Sequence, residues 1–160
     1  MARRRTQQSF SAEIEELIQT LNHIADNSEE IAKKAIYEGA KILADQIKSN
    51  IESLPTDEEW GSSDHLKSGP TAKEKEEIKK GFGLAKMLDS NGFINTKIGF
   101  DEAGYDSRGK PVQMIARSVN SGTTFMKKNQ FFTNGVRQGK ERAEQRMKEI
   151  LEREIDNLTR

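Results

Sequence analysis

The sequence has no cysteine, which excludes disulfide bonds, thiolate catalysis and zinc sites built on cysteine, and fits a reducing compartment. Hydrophobic residues make up 33% of its 160 residues, against a usual apolar share of roughly 45–50%. No apolar run approaches the ~20 residues of a membrane helix, and no apolar stretch follows the basic start. We therefore expect neither a membrane span nor a secretory signal, and a cytoplasmic site of synthesis. The core should be small, as in an elongated helical protein, a partly mobile one, or one that completes its burial against a partner.

Positive and negative charges balance overall, 26 of each, but they are distributed unevenly along the chain. Residues 108–148 contain ten basic and two acidic residues, a net charge of +8, which leaves −8 for the rest. Such polarity can steer an acidic partner, or the acidic end of another copy, to a basic face. The alternative is an ordinary solvated face.

Apolar residues at helical spacing predict long helices near both ends of the chain. After a polar arm (residues 1–10) with three arginines, Ser11 is a good N-cap for a helix over 11–26. A second apolar stripe runs over 28–54 until Pro55 stops it, and a third runs over 132–158. Small residues recur every four positions on both long helices, which predicts close approach of their backbones. On one helix the series is Ala32, Ile36, Ala40 and Ala44, in which only Ile36 is not small, and on the other it is Gly135, Gly139 and Ala143.

The middle of the chain is less regular. Residues 55–81 are acidic and lack an apolar pattern, so we expect a long mobile loop, with a short exposed helix over 73–80 as the alternative. A turn is predicted at 89–92 and a strand over 93–100. Pro111 suits the first position of a helix that Gly122 would cap, although a strand through 112–116 fits the same residues. The fold class is thus α+β, with long N-terminal and C-terminal helices packed on a small antiparallel sheet.

Catalytic and metal-binding patterns are lacking. His23 and His65 each stand without a second ligand at helical spacing, and the acidic runs fall in a segment that offers no burial to tune a carboxylate. Gly81-Phe82-Gly83 does not continue into a dinucleotide fingerprint, and there is no Walker pattern. We expect a protein that is not an enzyme and has no catalytic residue, no cofactor and no metal.

Aromatic residues supply the candidate contacts. Trp60, the only tryptophan, lies in the acidic loop, where it is either a local anchor or a contact for a partner. Phe125 and Met126 follow a turn and could form an exposed apolar tip, whereas Phe131 and Phe132 favour a place in the core.

The order of these segments resembles a known family. A long helix is followed by a loop with Leu66-Lys67-Ser68-Gly69, a strand, the segment Ile115 to Thr123 (Ile-Ala-Arg-Ser-Val-Asn-Ser-Gly-Thr), and a closing helix that begins at Phe131 or Phe132. This order is similar to that of the head–tail joining, or neck, proteins of long-tailed bacteriophages, often described as a putative tail component. The resemblance extends over roughly residues 28–155. It departs from the family pattern at Ser63-Asp64-His65-Leu66, at Gln130 and in the acidic tract around Trp60.

The resemblance implies a non-enzymatic virion protein, made in the host cytoplasm, that joins the head connector to the tail. It implies a single head–tail joining domain over 11–160, and as partners the other connector and tail proteins and a homo-oligomeric ring, with no membrane. Proximity to DNA is left open. The candidate assembly interface comprises Trp60, Leu66, Asn120, Gly122, Thr123, Phe125, Met126 and Phe131, with charge contacts from Arg117, Lys127, Lys128 and Arg137. The alternatives are a nucleic-acid-binding protein that uses the basic segment, and a helical scaffolding protein.

Overall fold

The computed structural model describes residues 27–90, 93–100 and 104–159. The expected arm over 1–10, the helix over 11–26 and His23 lie outside these residues. The helices are α1 (Ser28–Glu52), α2 (Ala72–Gly81), α3 (Val112–Ser121) and α4 (Phe131–Thr159), and the strands are β1 (Phe82–Leu84), β2 (Leu88–Ser90), β3 (Phe93–Asn95) and β4 (Ile98–Phe100). This arrangement confirms the α+β class and both long helices. Within the described residues, no helix is long and apolar enough to cross a membrane.

Helices α1 and α4 pack antiparallel along their length, and small residues bring them close together. A Cβ atom built on Gly135 would lie 2.9 Å from the Ile47 Cα, and one on Gly139 would lie 3.0 Å from the Leu43 Cδ2. Further along the pair, Gly39 faces the Met147 side chain, and Ala143 is fully buried. The predicted close approach of the two backbones is therefore present.

Within the described residues, the core consists of two apolar clusters, one toward each end of this helix pair. The larger lies where α1, α2, α3 and the start of α4 meet, and comprises Ile47, Ile51, Leu54, Ile78, Ile115, Ala116, Val119 and Phe131. The smaller joins the start of α1 to the second half of α4, and comprises Ile31, Ala32, Ala35, Met147, Ile150 and Leu151. Two small clusters along one helix pair agree with the low apolar content.

The strands form two short antiparallel ladders, β1 with β4 and β2 with β3. The prediction of one strand over 93–100 is wrong, because the chain leaves one ladder at Asn95 and enters the other at Ile98. Residues 85–87 oppose only 96–97 there, an unequal count typical of a bulge. The turn predicted at 89–92 is also wrong in part, since Asp89 and Ser90 belong to β2, and residues 91–92 lie outside the described residues.

The segment expected as a loop over 55–81 contains helix α2. Thr71 and Glu74 form a capping box at its start, with the Thr71 hydroxyl accepting from the Glu74 N–H and the Glu74 carboxylate accepting from the Thr71 N–H. The helix is not simply exposed, because Ile78 is fully buried in the larger cluster. Lys75 donates to the Glu52 and Leu54 carbonyls and so satisfies the end of α1. Mobility of the segment stays a prediction.

Helix α3 settles the ambiguity over 111–120 in favour of the helix. Pro111 is its N-cap rather than its first residue, and Val112, Ile115, Ala116 and Val119 bury one face. Gly122 ends the helix with a φ of 75°, a conformation that L side chains rarely adopt. The predicted glycine cap is therefore present.

Candidate assembly interface

The loop that carries Trp60 is held in shape by one carboxylate. The Asp57 Oδ2 accepts from the Ser68 N–H at 2.9 Å and from the His65 ring at 3.0 Å, and its Oδ1 accepts from the Glu59 N–H at 3.0 Å. The Ser68 N–H, followed by the Glu59 N–H and the His65 ring, keeps the pKa of the Asp57 carboxyl below its usual value. Asp57 thus ties the two ends of the loop together while it is ionised.

The same loop pairs with the segment that follows α3. The Lys67 N–H donates to the Phe125 carbonyl and the Lys67 carbonyl accepts from the Lys127 N–H, both at 2.9 Å. A Cβ on Gly61 would lie 2.6 Å from the Phe125 carbonyl oxygen, so the two segments are in direct contact. Loop residues 57–68 and 123–127 therefore form one surface, although they lie more than fifty residues apart in the chain.

Three aromatic and aliphatic side chains are exposed on this surface. Trp60 is 88% exposed, Phe125 50% and Leu66 45%. We call Trp60, Leu66 and Phe125 the apolar tip. Met126 is half-buried and packs against the larger core cluster, and Thr123 is exposed beside it. Trp60 is therefore not an anchor onto its own chain, which was one of the two sequence-based alternatives.

The remaining apolar and polar candidates have internal roles. The Asn120 Oδ1 accepts from the N–H groups of Phe132 and Thr133 at 3.0 and 3.4 Å, so Asn120 on α3 caps the start of α4. A Cβ on Gly122 would lie 3.0 Å from the Lys128 backbone nitrogen. Phe131 is 3% exposed and lies in the larger core cluster, so it is not available to a partner in the free chain.

A cavity of about 340 Å³ opens beneath the apolar tip. Its wall combines acidic and basic groups, namely Glu58, Glu59, Glu74, Lys67, Arg108 and Lys110, with Trp60, Phe125 and Met126. Each carboxylate has at least one contact: Glu58 accepts from the Ala72 N–H, Glu59 faces the His65 ring, and Glu74 binds the Arg108 guanidinium at 2.6 Å. Glu74 and Arg108 thus form an ion pair in this wall, whereas Glu58 and Glu59 stay exposed to solvent.

An ion cluster around Arg108 was missed by the sequence reasoning. Its guanidinium lies between Glu74 and Asp106, and the Lys110 and Arg108 N–H groups donate to the Asp106 Oδ1. The Lys110 N–H, followed by the Arg108 groups, keeps the pKa of Asp106 below its usual value. Partial burial opposes ionisation of Glu74, yet the Thr71 N–H and Arg108 outweigh it and lower the pKa of Glu74. The turn residues Asp106 to Gly109 were the only sequence signal for this cluster.

The four basic candidates, Arg117, Lys127, Lys128 and Arg137, are all exposed. They flank the joint where Asn120 binds the start of α4. In the part of the chain that the structure describes, no ion pair involves any of them, and Arg137 donates to the Asn134 amide oxygen at 3.1 Å. They leave this joint with uncompensated positive charge.

No group of three or more metal-ligating side chains lies close together in residues 27–90, 93–100 and 104–159. His65 is engaged with Asp57 and Glu59 in the loop.

One comparison with known proteins gives a match. The model of the family described as "Bacteriophage HK97-gp10, putative tail-component" matches residues 15–92, just under half of the chain. This range includes α1, α2 and the loop with Trp60 and Leu66, but ends before the segment Ile115 to Thr123. No curated protein and no solved structure matches. The match confirms the resemblance to this phage family and supports a structural role in a phage particle.

Proposed function

We propose that this chain, similar over residues 15–92 to the putative tail components of bacteriophages, is a non-enzymatic subunit that joins the head connector to the tail. The observation that carries the proposal is the apolar tip on an internally bonded loop. A tryptophan that is 88% exposed and contacts little of its own chain is typical of a surface that a partner covers, because Trp is enriched where interfaces bury most binding energy.

The small core supports the same function. Two modest clusters leave much of the molecule polar, and the tip lies apart from both. If the tip were buried in a ring of copies, or against a connector or tail protein, the burial of apolar surface that the small core leaves incomplete would be completed. Opposite charges on the segment 108–148 and on the rest of the chain would help orient the subunits before contact.

The test is particle assembly in the phage or prophage that encodes the chain. Deletion of the gene should leave filled heads and tails unjoined in electron micrographs, and the wild-type gene should restore joining. Trp60→Ala should fail to restore it, whereas Phe93→Ala, which truncates an aromatic that is 60% exposed on β3, should succeed. Joined, infectious particles in the deletion strain would refute the proposal.

A nucleic-acid-binding role is a second candidate, favoured by the four exposed cations Arg117, Lys127, Lys128 and Arg137. It predicts that affinity for duplex DNA falls with salt, with a slope of about 0.9 for each phosphate contacted. Replacement of Lys127 and Lys128 by Gln should then reduce that slope by about 2. No measurable binding at low salt would exclude it.

A further inference from the structure

Two glycines lie opposite each other in the ladder of β1 and β4, and nothing in the residues that the structure describes requires them. Gly83 pairs with Gly99, between the pairs Phe82–Phe100 and Leu84–Ile98. A Cβ built on either glycine meets no atom within 4 Å, and neither glycine has a positive φ. Gly81, in contrast, would bring a Cβ to 2.8 Å from Val112. Glycine in a strand weakens it, so a bare pair of this kind is typical of a place where another group approaches the backbone closely.

The glycine pair lies in the wall of a cavity of about 680 Å³, together with its strand neighbours Phe82, Leu84, Ile98 and Phe100. Phe82, Ile98 and Phe100 also pack against the larger core cluster, so the core supports this wall. The charged residues in the cavity wall are Lys80 and Lys97, both exposed, and in the described part of the chain neither forms an ion pair with a carboxylate. We call this cavity the glycine cleft. Its bare glycine backbone, apolar strand residues and two lysines fit a flat apolar group flanked by carboxylates.

The chain itself carries such a group. Glu58, Glu59 and Trp60 are three consecutive exposed residues on the loop, and Asp64 is exposed at its far side. The indole is flat and 88% exposed, and aromatic rings that cover strand glycines stabilise sheets. The wall of the cavity beneath Trp60 and the wall of the glycine cleft share no residue, so these are two distinct surfaces.

We propose that Trp60 of one copy inserts into the glycine cleft of a second copy, with Glu58 and Glu59 facing Lys80 and Lys97. This inference deepens the proposed function, on which it rests, by naming the two surfaces of the contact between copies. Because the two surfaces differ, the contact is head-to-tail, and repetition of it closes a ring if the rotation between copies allows.

The two surfaces can be inactivated separately. Trp60→Ala removes the inserted group, and Gly83→Val fills the cleft from an open position. Each variant should weaken self-association of the purified chain at least about 30-fold, the effect of removing an interface hot spot. Gly83→Val should at the same time raise the melting temperature, because valine favours a strand and meets no atom there. Phe93→Ala is the control and should associate like the wild type.

Mixing the variants gives the decisive result. Trp60→Ala retains the cleft and Gly83→Val retains the tryptophan, so the two together should form a 1:1 complex that grows no further. A chain with both substitutions should stay monomeric and should bind neither the wild type nor either variant. Sedimentation equilibrium measures these masses. Self-association of Gly83→Val equal to that of the wild type, or failure of the two variants to pair, would overturn the proposal.

The failure of this contact is distinguishable from failure of the proposed function. If the purified chain pairs as described but the gene deletion leaves joined particles, the contact stands and the joining role is wrong. If Gly83→Val self-associates normally and the deletion separates heads from tails, the joining role stands and this contact is wrong.

Discussion

Replacement of Gly135 by alanine should destabilise the protein, because two helix backbones meet at this residue. The new Cβ would lie 2.6 Å from the Ile47 Cγ1 and 2.9 Å from the Ile47 Cα. The side-chain atom can rotate away, but the Cα can move only if helix α1 moves. Overpacking of this kind costs about 1–3 kcal/mol, and the backbone contact places Gly135 in the upper half of that range.

The gain in helix propensity offsets part of this cost. Alanine is better than glycine in a helix interior by about 1 kcal/mol, so the net loss for Gly135→Ala should be about 1–2 kcal/mol in the free energy of unfolding. Gly139→Ala is the matched control on the same face of α4. Its Cβ would meet the Leu43 Cδ2 at 3.0 Å, the movable end of a side chain, so the propensity gain should dominate and leave stability unchanged or higher.

Urea unfolding followed by circular dichroism measures both variants. A difference of about 2 kcal/mol between them corresponds to roughly 4–8 °C in melting temperature for a chain of this size. If Gly135→Ala is as stable as Gly139→Ala, the close approach of α1 and α4 at Ile47 is refuted.

Three further predictions concern the surface around the apolar tip. Asn120→Ala should lower the free energy of unfolding, measured with urea, by about 1–2 kcal/mol, because the start of α4 loses its cap. The control Asn134→Ala should change it by less than about 0.5 kcal/mol, and equal effects of the two substitutions would refute the capping role. The pKa of Asp57 is lower in the folded protein than in the unfolded chain, where it is about 3.9. The contribution of Asp57 to stability is therefore present at pH values above the unfolded pKa, and it is lost as the pH falls through the lower folded pKa. The protection factors of amides in the loop that carries Trp60, taken relative to the intrinsic exchange rate at each pH, should therefore fall at acid pH in the wild type and already be low at neutral pH in Asp57→Asn. Identical protection of the loop in both proteins at neutral pH would contradict this. Amides of residues 55–81 should exchange faster in the free subunit than in the assembly. The gain in protection on assembly should be concentrated in 55–71, because α2 is already hydrogen-bonded in the free subunit. Equal protection in both states would exclude ordering on assembly.

The long helices could be predicted from the sequence because their signals are local. The apolar stripe over 28–54 and the stripe over 132–158 repeat at helical spacing, and Gly122 marks a helix end whatever lies around it. The small-residue spacing on α4 also predicted the contact with α1, since only close packing explains several glycines in a helix interior.

The parts that were wrong or missed depend on partners far along the chain. The residues over 93–100 are rich in β-formers with polar interruptions, but the break at Thr96 and Lys97 is set by pairing with two different strands, β1 and β2. Helix α2 has few apolar residues, and its burial rests on Ile78 alone; its capping box, Thr71 and Glu74, was a signal that the sequence did contain.

The fold brings together only some of the residues that were assigned to the candidate interface, and their role as an interface stays a prediction. Trp60, Leu66 and Phe125 do lie together on the surface, because Lys67 pairs with residues 125–127. Asn120, Gly122 and Phe131 were assigned to the interface with them because they belong to the segments that carry the family resemblance. In the fold these three residues cap, end and bury helices instead, and only the three-dimensional contacts of the helix joint separate the two groups.

The central claim is that assembly covers the apolar tip, and the single tryptophan allows a direct measurement. Fluorescence of Trp60 and its quenching by acrylamide should be recorded together with the mass from light scattering, over a wide range of protein concentration. The account predicts an accessible indole in the monomer, and a blue shift with loss of quenching that follows the growth of mass. Growth of the assembly with Trp60 as accessible as before would contradict it, and a monomer at every concentration would exclude contact between copies.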